Sequence, residues 1–414
     1  MLATTLVNDL LCLPGITVSG VSLEPGLLRV QVALRARKLY CPLCDYATRA
    51  RYDQRPVDSG WRHLDFGAAR VELHARLRRL RCPEHGVVTE WAPFARYRSR
   101  FTAEFEDVAA FLATKTDKSA IARSLRIDWD TVGRILERVV ATEVDENRLE
   151  NLVTVGVDEI SRRKHHKYLS LVSDHDTGKI VWGTAGKNTE AIEEFFDELG
   201  PERAARIEAA SMDMAPAFRK AFTTHAPNAV ICIDPFHAVK LVTDAFDTVR
   251  RGIWQAMRTI DPVAAKLFKG ARWALLKNPT DLDEDQNSTL RRLRRRGGEL
   301  WKAYTLKEAF RQSFAGDLDE GQALLLIERW CRKAEDSGMA AYAKSAKTIR
   351  KHLDGITEAI ERRINNGRHE GINSNVRLII RRARGFHSAE AALGLVMLTC
   401  GPITLHLPWE QRPE

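Results

Sequence analysis

The sequence predicts an α/β protein: a mixed sheet flanked by helices, interrupted by a long helical block and preceded by two small modules. Three observations carry this. Val153-Thr154-Val155-Gly156-Val157 is a small, β-branched apolar run that ends on Asp158, so it reads as a buried strand delivering a carboxylate from its end. From Leu152 to His237 the pattern alternates between strand and helix, whereas residues 241 to about 355 are helical throughout. Ahead of both, Cys41-Pro-Leu-Cys44 and Cys82-Pro-Glu-His85 form two short knuckles with 37 residues between them.

Composition sets the outer bounds. A chain of 414 residues, 44% hydrophobic and 29% charged, is globular and long enough for two to four domains. No apolar run approaches a membrane span, and Met1 to Leu13 carries no basic leader. The expectation is a cytoplasmic protein with no membrane partner. The net charge of +9, mostly surplus arginine, suits a polyanionic partner, although many soluble enzymes are as basic. Seven cysteines, three of them at ligand spacing, point to a reducing compartment and to metal instead of disulfides.

Residues 1–100 make the first expected domain. Runs such as Gly26 to Leu34 are β-like but alternate poorly. The two knuckles are the strong signal, because three thiolates and one imidazole fill a closed tetrahedral Zn²⁺ site. The expected ligands are Cys41, Cys44, Cys82 and His85; a surface His85 with Cys82 as a core thiol is the bland alternative. From Arg70 to Arg100 there are eight arginines, and Val71 to Arg78 alternates so that its arginines line one strand face. That face suits phosphates, or else it is simply solvated.

Residues 101–145 form the second expected domain, three helices whose inward set is Ile121, Leu125, Ile127, Val132, Ile135 and Leu136. This is a helix-turn-helix pattern, with Asp128 suited to cap the third helix. Trp129, Thr131, Arg134 and Arg138 would touch DNA from that helix. A plain helical connector is the competing reading.

Residues 150–240 hold expected strands at 152–158, 167–173, 179–184, 207–213 and 229–234, with helices at 188–199 and 215–225. Three antiparallel strands followed by helix, strand, helix and strand is the ribonuclease-H-like order. In it the first and fourth strands are neighbours, so Asp158 and Asp213 would face one another. Two carboxylates so placed are hard to hold together without a divalent cation between them. The insertion, 241–355, contains Arg291-Arg292-Leu293-Arg294-Arg295-Arg296, a candidate phosphate-binding patch, and Trp254, Trp273, Trp301 and Trp330, mostly suited to core packing. Residues 356–414 return to the core. There Ile372, Val376, Ile379, Ile380 and Ala383 make an apolar stripe, while Glu370, Asn373, Ser374, Arg377, Arg381 and Arg384 share the opposite face.

Taken together, Val155-Gly-Val-Asp158-Glu159, Ser211-Met-Asp213-Met214 and His369-Glu370-Gly-Ile-Asn373-Ser374 resemble the acid triad of DDE transposases. The knuckles, the helix-turn-helix and the insertion before the glutamate narrow the resemblance to the ISL-three insertion-sequence family, over nearly the whole chain. The resemblance implies Asp158, Asp213 and Glu370 as the ligands of catalytic Mg²⁺ or Mn²⁺. It also implies that Asp234-Pro-Phe-His237 brings His237 near the active site. The family's fourth zinc position is usually Cys, and here it is His85, whose imidazole serves equally.

The chemistry agrees with the resemblance. Two cations roughly 3.5–4 Å apart, held by three carboxylates, activate an oxygen nucleophile and stabilise the leaving oxygen at phosphorus. Water would attack at the element end, and the freed 3′-hydroxyl would then attack target DNA. The zinc module and helix-turn-helix would read terminal inverted repeats, and Arg377, Arg381 and the basic insertion would hold DNA beside the acids. Pairing two element ends implies a homodimer or higher assembly. A structure-specific nuclease, or a DNA-binding regulator with an inactive catalytic domain, are the rival readings.

Overall fold

The computed structural model describes residues 2–163, 167–314, 318–364, 367–383 and 388–410. Two compact units result, one of Met1–Arg148 with Val376–Glu414, the other of Leu149–Asn375. This division is coarser than the five expected segments. Among the described residues no helix is long and apolar enough to cross a membrane.

The first unit opens with α1 (Ala3–Leu11) and the hairpin β1 (Ile16–Glu24) and β2 (Leu27–Leu34), which turns at Gly26 with φ +75°. Val30 and Val32 point inward while Arg29, Gln31 and Ala33 face out, so the strand does alternate. The outward Ala33 blurs that period in the sequence. Small strands β3 (Leu39–Tyr40), β4 (Ala47–Thr48) and β5 (Asp53–Gln54) follow, then β6 (Ser59–Phe66), β7 (Ala69–Ala75), β8 (Arg78–Cys82) and β9 (Gly86–Thr89). One sheet has the order β1-β2-β7-β6 and another β5-β8-β9, with β3 and β4 paired by themselves. Trp61 packs edge-on against Phe94 at 5.0 Å over Val30, Val32, Val71 and Leu73.

The expected arginine-lined strand does not form as one element. The chain leaves its first sheet after Ala75 and re-enters another at Arg78. Its arginines meet acids instead: Arg76 donates to Asp58 at 2.9 Å, Arg78 to Glu90 at 2.5 Å, and Arg79 pairs with Asp53.

The helices α2 (Ala103–Lys115), α3 (Lys118–Leu125) and α4 (Trp129–Glu143) bury Phe105, Ile121, Val132, Ile135 and Val139 together. Asp117 caps α3 by accepting from the Ser119 and Ala120 N–H groups. Asp128 occupies the expected N-cap position of α4, but its side chain makes no capping bond. Between the two helices Arg126 takes the left-handed conformation (φ 54°) and is anchored by Asp65 and the Ala68 carbonyl. These anchors offset the strain that glycine would have avoided.

The second unit begins with β10 (Thr154–Arg163), β11 (Lys167–Asp174) and β12 (Lys179–Ala185), then α5 (Thr189–Leu199), α6 (Pro201–Ala204), β13 (Ala209–Met212), α7 (Pro216–His225) and β14 (Val230–Ile233). The sheet order is β12-β11-β10-β13-β14, with β10, β11 and β12 antiparallel and β10, β13 and β14 parallel. That is the expected ribonuclease-H-like order. Phe195, Phe196, Phe218 and Phe222 pack helices α5 and α7 into the same core as Val155, Val157 and Met212 of the sheet.

Helices α8 (Pro235–Ile260), α9 (Pro262–Gly270), α10 (Arg272–Leu276), α11 (Glu284–Arg296), α12 (Gly298–Gln312), α13 (Glu320–Glu335), α14 (Ala340–Lys351) and α15 (Leu353–Glu361) make the insertion. Its core includes Phe246, Phe310, Trp330 and Tyr342. Trp273, by contrast, is 55% exposed. Two helices complete the chain, α16 (Gly367–Arg382) and α17 (Ala389–Cys400), the unit boundary falling within α16.

Candidate active site and metal centre

The metal centre is set by the two knuckles. Cys41 and Cys44 flank the turn after β3, while Cys82 ends β8 and His85 precedes β9. Their donor atoms all lie within 4.8 Å of one another. The separations are 3.8 Å from Cys41 Sγ to His85 Nδ1, 3.6 Å between the Sγ atoms of Cys44 and Cys82, and 3.5 Å from Cys82 Sγ to His85 Nδ1. A tetrahedral zinc with bonds of about 2.3 Å to sulfur and 2.0–2.1 Å to nitrogen requires edges of about 3.8 Å and 3.6 Å respectively. The donor set therefore fits zinc in both chemistry and spacing, and supports a structural zinc site.

The acid site forms where the β10–β13 ladder ends. Gly156 pairs with Ser211, the last pair of that parallel register. Two residues further along each chain come Asp158 and Asp213, so the continued register brings the two acids level. Asp158 is not the end of its strand, as expected from the sequence; β10 continues to Arg163, paired there with β11. What ends at Gly156 is the pairing with β13, so Asp158 has no ladder partner on that side.

Asp158 is half-buried and well tethered. Its Oδ1 accepts from the Glu159 N–H at 2.7 Å and its Oδ2 from the Asn373 side-chain amide at 2.5 Å. Loss of water raises its pKa above the usual carboxylate value, and the charge of Asp213 adds to the rise. The Asn373 bond, the His237 imidazole and the Glu159 N–H act the other way. Asp213 accepts from the Ala215 N–H at 2.8 Å, an Asx turn leading into α7. Glu159 is likewise raised, first by burial, with Asp213 and Asp158 reinforcing and Lys187 opposing.

His237 lies in the first turn of α8, its Nε2 3.7 Å from the buried Asp234 carboxylate, which also accepts from the Phe236 N–H that starts the helix. Glu370 falls within α16, but its side chain lies outside what the structure describes, as do Arg384 and the rest of 384–387. Arg377 and Arg381 are exposed. On the helix-turn-helix, Arg134 is exposed and donates to Thr131 Oγ1 at 3.2 Å. Trp129 is 41% exposed, with the Lys118 ammonium 3.4 Å above its ring. Gly133 leaves room for that lysine, since a Cβ there would come within 2.8 Å of Nζ. Arg138 departs from expectation: it turns toward fully buried Glu106 at 2.7 Å and is only 23% exposed.

Two residues near the acids, His352 and Arg219, carried no sequence signal of their own. His352 is buried, receives an Arg219 guanidinium contact at 3.5 Å on Nδ1, and has its pKa lowered first by burial and then by Arg219, with Asp213 opposing. In the sequence Asn373 belongs to a polar helix face and to the motif around Glu370, and neither names its partner. Its bond to Asp158 spans 215 residues of sequence, a separation that no local pattern reports.

Comparisons with known proteins cover the same parts. The family model for ISL3 elements described as transposase matches residues 155–393, the helix-turn-helix domain of transposase family ISL3 matches 92–140, and the zinc-finger of transposase IS204/IS1001/IS1096/IS1165 matches 40–85. The chain is 36% identical over 394 residues to the transposase for insertion sequence element IS1557 of Mycobacterium tuberculosis, covering 90% of this chain and 88% of that one. It is 29% identical over 371 residues to the transposase for insertion sequence element IS1001 of Bordetella parapertussis, covering 89% and 90%.

Proposed function

Because this chain belongs to the ISL3 family of transposases, we propose that it binds the terminal inverted repeats of its own insertion sequence and performs metal-dependent strand cleavage and strand transfer. In this reading residues 1–100 and 101–145 bind DNA. The segments 150–240 and 356–414 build the catalytic core around the insertion 241–355. Asp158, Asp213 and Glu370 would hold the divalent cations, Mg²⁺ or Mn²⁺, with His237 beside them. Trp129, Thr131, Arg134, Arg377 and Arg381 would contact DNA, and two copies or more would assemble to pair the element ends.

The observation that carries the reading is Asp158 level with Asp213 at the end of the β10–β13 ladder. Among the described residues the hydrogen bonds these acids accept come from neutral groups, the Asn373 amide and the Glu159 and Ala215 N–H. Such bonds orient the carboxylates without adding a full positive charge, and burial and Asp213 still outweigh His237 at Asp158, an environment that suits a divalent cation.

When bound, the cations supply an activated oxygen nucleophile and charge stabilisation at the leaving oxygen. The rest falls to the chain's own residues. Asn373 and the Glu159 N–H fix both oxygens of Asp158, so its orientation does not depend on substrate. The Ala215 N–H does the same for one oxygen of Asp213. His237, near the Asp234 carboxylate, keeps an imidazole beside Asp158. Water and the 3′-hydroxyl attack in turn at one site, since both steps are in-line displacements at phosphorus.

The test is cleavage of a labelled element-end duplex in Mg²⁺ or Mn²⁺. Asp158→Asn, Asp213→Asn and Glu370→Gln should each lose cleavage and strand transfer by several orders of magnitude while retaining DNA binding, and combining them should add little. Near-normal cutting by any of the three removes that residue from the metal set.

A further inference from the structure

The insertion carries the arginine run that the sequence marks as a candidate phosphate-binding patch, and the structure shows how it is presented. Helix α11 places Leu290 and Leu293 against the core and turns Arg291, Arg292, Arg294, Arg295 and Arg296 out to solvent. At about 100° per residue these five cover more than half of the helix circumference. None of them has a carboxylate partner among the described residues; Arg292 donates to the Thr289 hydroxyl at 3.0 Å. Arg291 and Arg294 border a shallow groove of about 560 Å³ that Asn287, Leu290, Trp301 and the single acid Glu284 complete.

Two features separate this from an ordinary solvated helix. The favourable helix-terminus field accounts for cations in the last turn, Arg294 to Arg296, but not for Arg291 and Arg292 one turn earlier. Arg291 with Arg295, and Arg292 with Arg296, are like charges at i,i+4, which destabilise a helix. The helix is held in place regardless. Asp283 and Gln286 form a capping box, and Lys277 Nζ donates to Gln286 Oε1 at 3.1 Å. A rigid helix that concentrates uncompensated positive charge is a surface awaiting a polyanion.

We infer that α11 is a sequence-independent docking surface for the phosphate backbone of duplex DNA, additional to the helix-turn-helix. The inference rests on the transposase reading only for the kind of polyanion, since DNA is what such a protein must hold. Guanidinium groups at successive turns offer bidentate contacts to phosphate oxygens and carry no base readout.

The experiment uses the full chain with R291Q/R294Q/R295Q and, in parallel, R291K/R294K/R295K. Gln and Lys keep the helix propensity of arginine, and the three side chains are exposed, so both variants fold. Affinity is measured over a salt series on an element-end duplex and on an unrelated duplex of equal length. Each phosphate contact contributes about 0.9 to the slope of log affinity against log salt, so the Gln variant should flatten that slope by about 2.7 on both duplexes. Between 50 and 200 mM salt this is about a 40-fold smaller change in affinity. The Lys variant should keep the original slope. An unchanged slope for the Gln variant overturns the inference. So does a loss confined to the element end, or a Lys variant that behaves like the Gln one. Failure of the transposase reading shows differently, as no preference of the unmodified protein for the element end, and leaves the result on unrelated duplex interpretable.

Discussion

Two arginines four residues apart on α4 should respond oppositely to substitution. Arg138 is built into the unit. Glu106, with no exposed surface, accepts from Arg138 at 2.7 Å, from Ser99 Oγ at 2.7 Å and from Arg96 at 3.5 Å. Arg96 is already shared with Asp107 at 2.6 Å and Glu143 at 2.5 Å. Removing Arg138 therefore leaves one guanidinium facing three carboxylates. Breaking a buried pair outright costs about 3–5 kcal/mol. Ser99 and Arg96 remain and water reaches the vacated site, so Arg138→Gln should cost about 2–3 kcal/mol.

Hydrogen exchange of peptides from α2 and α4 reads this loss locally, without requiring the two units to unfold together. Arg138→Gln should lower their opening free energy by that amount while leaving the ratio of affinities for element-end and unrelated duplex unchanged. Arg134→Ala, on an exposed arginine whose hydrogen bond among the described residues stays within its own turn, should leave exchange unchanged and reduce discrimination by about 1–3 kcal/mol, tenfold or more. Normal protection in Arg138→Gln combined with lost discrimination would refute the assignment of Arg138 to the ion network.

Two further predictions concern the first unit. Cys82→Ala should remove the zinc, about one ion per chain by metal analysis, along with exchange protection in β8 and β9; full zinc occupancy in that variant would exclude the four-ligand site. His63 is buried, with Nδ1 2.9 Å from Thr102 Oγ1 and Nε2 3.9 Å from Glu104; burial first, then Arg62, pushes its pKa down from 6.5 to about 4. The unfolded chain then binds this proton before the folded one does. Stability is complete above pH 6.5 and falls as pH drops toward 4, by about 2 kcal/mol at pH 5. Exchange protection of β6 at pH 5 and 7.5 should show this fall, and His63→Gln should flatten it. Equal pH dependence in both proteins would assign the effect to other groups.

What could be read from the sequence is what short-range periodicity encodes. The bounds of α3, the start of α4 and the strand order of the catalytic core follow from local apolar spacing and turn residues. The cysteine knuckles were legible because coordination geometry constrains sequence spacing directly. The arginines of residues 70–100 were not, because an exposed strand face and a paired one have the same alternation. Asp58, Asp53 and Glu90 lie 18, 26 and 12 residues from their partners and decide between the two only in three dimensions. The same reasoning separates Arg134 from Arg138. Both sit on one amphipathic helix, and only the fully buried Glu106, 32 residues from Arg138, turns the second inward.

The acid site shows where these two kinds of information meet. Its aspartates were legible because each follows a run of apolar strand residues, and strand neighbours follow from topology. Their environment was not, since Asn373 approaches Asp158 from a helix that the sequence separates by the whole insertion. That distance has a physical consequence. The second hydrogen bond to Asp158 exists only where α16 lies against the sheet. The orientation of the first acid thus depends on the last catalytic segment, and the sheet alone, however well formed, holds only one of its two oxygens.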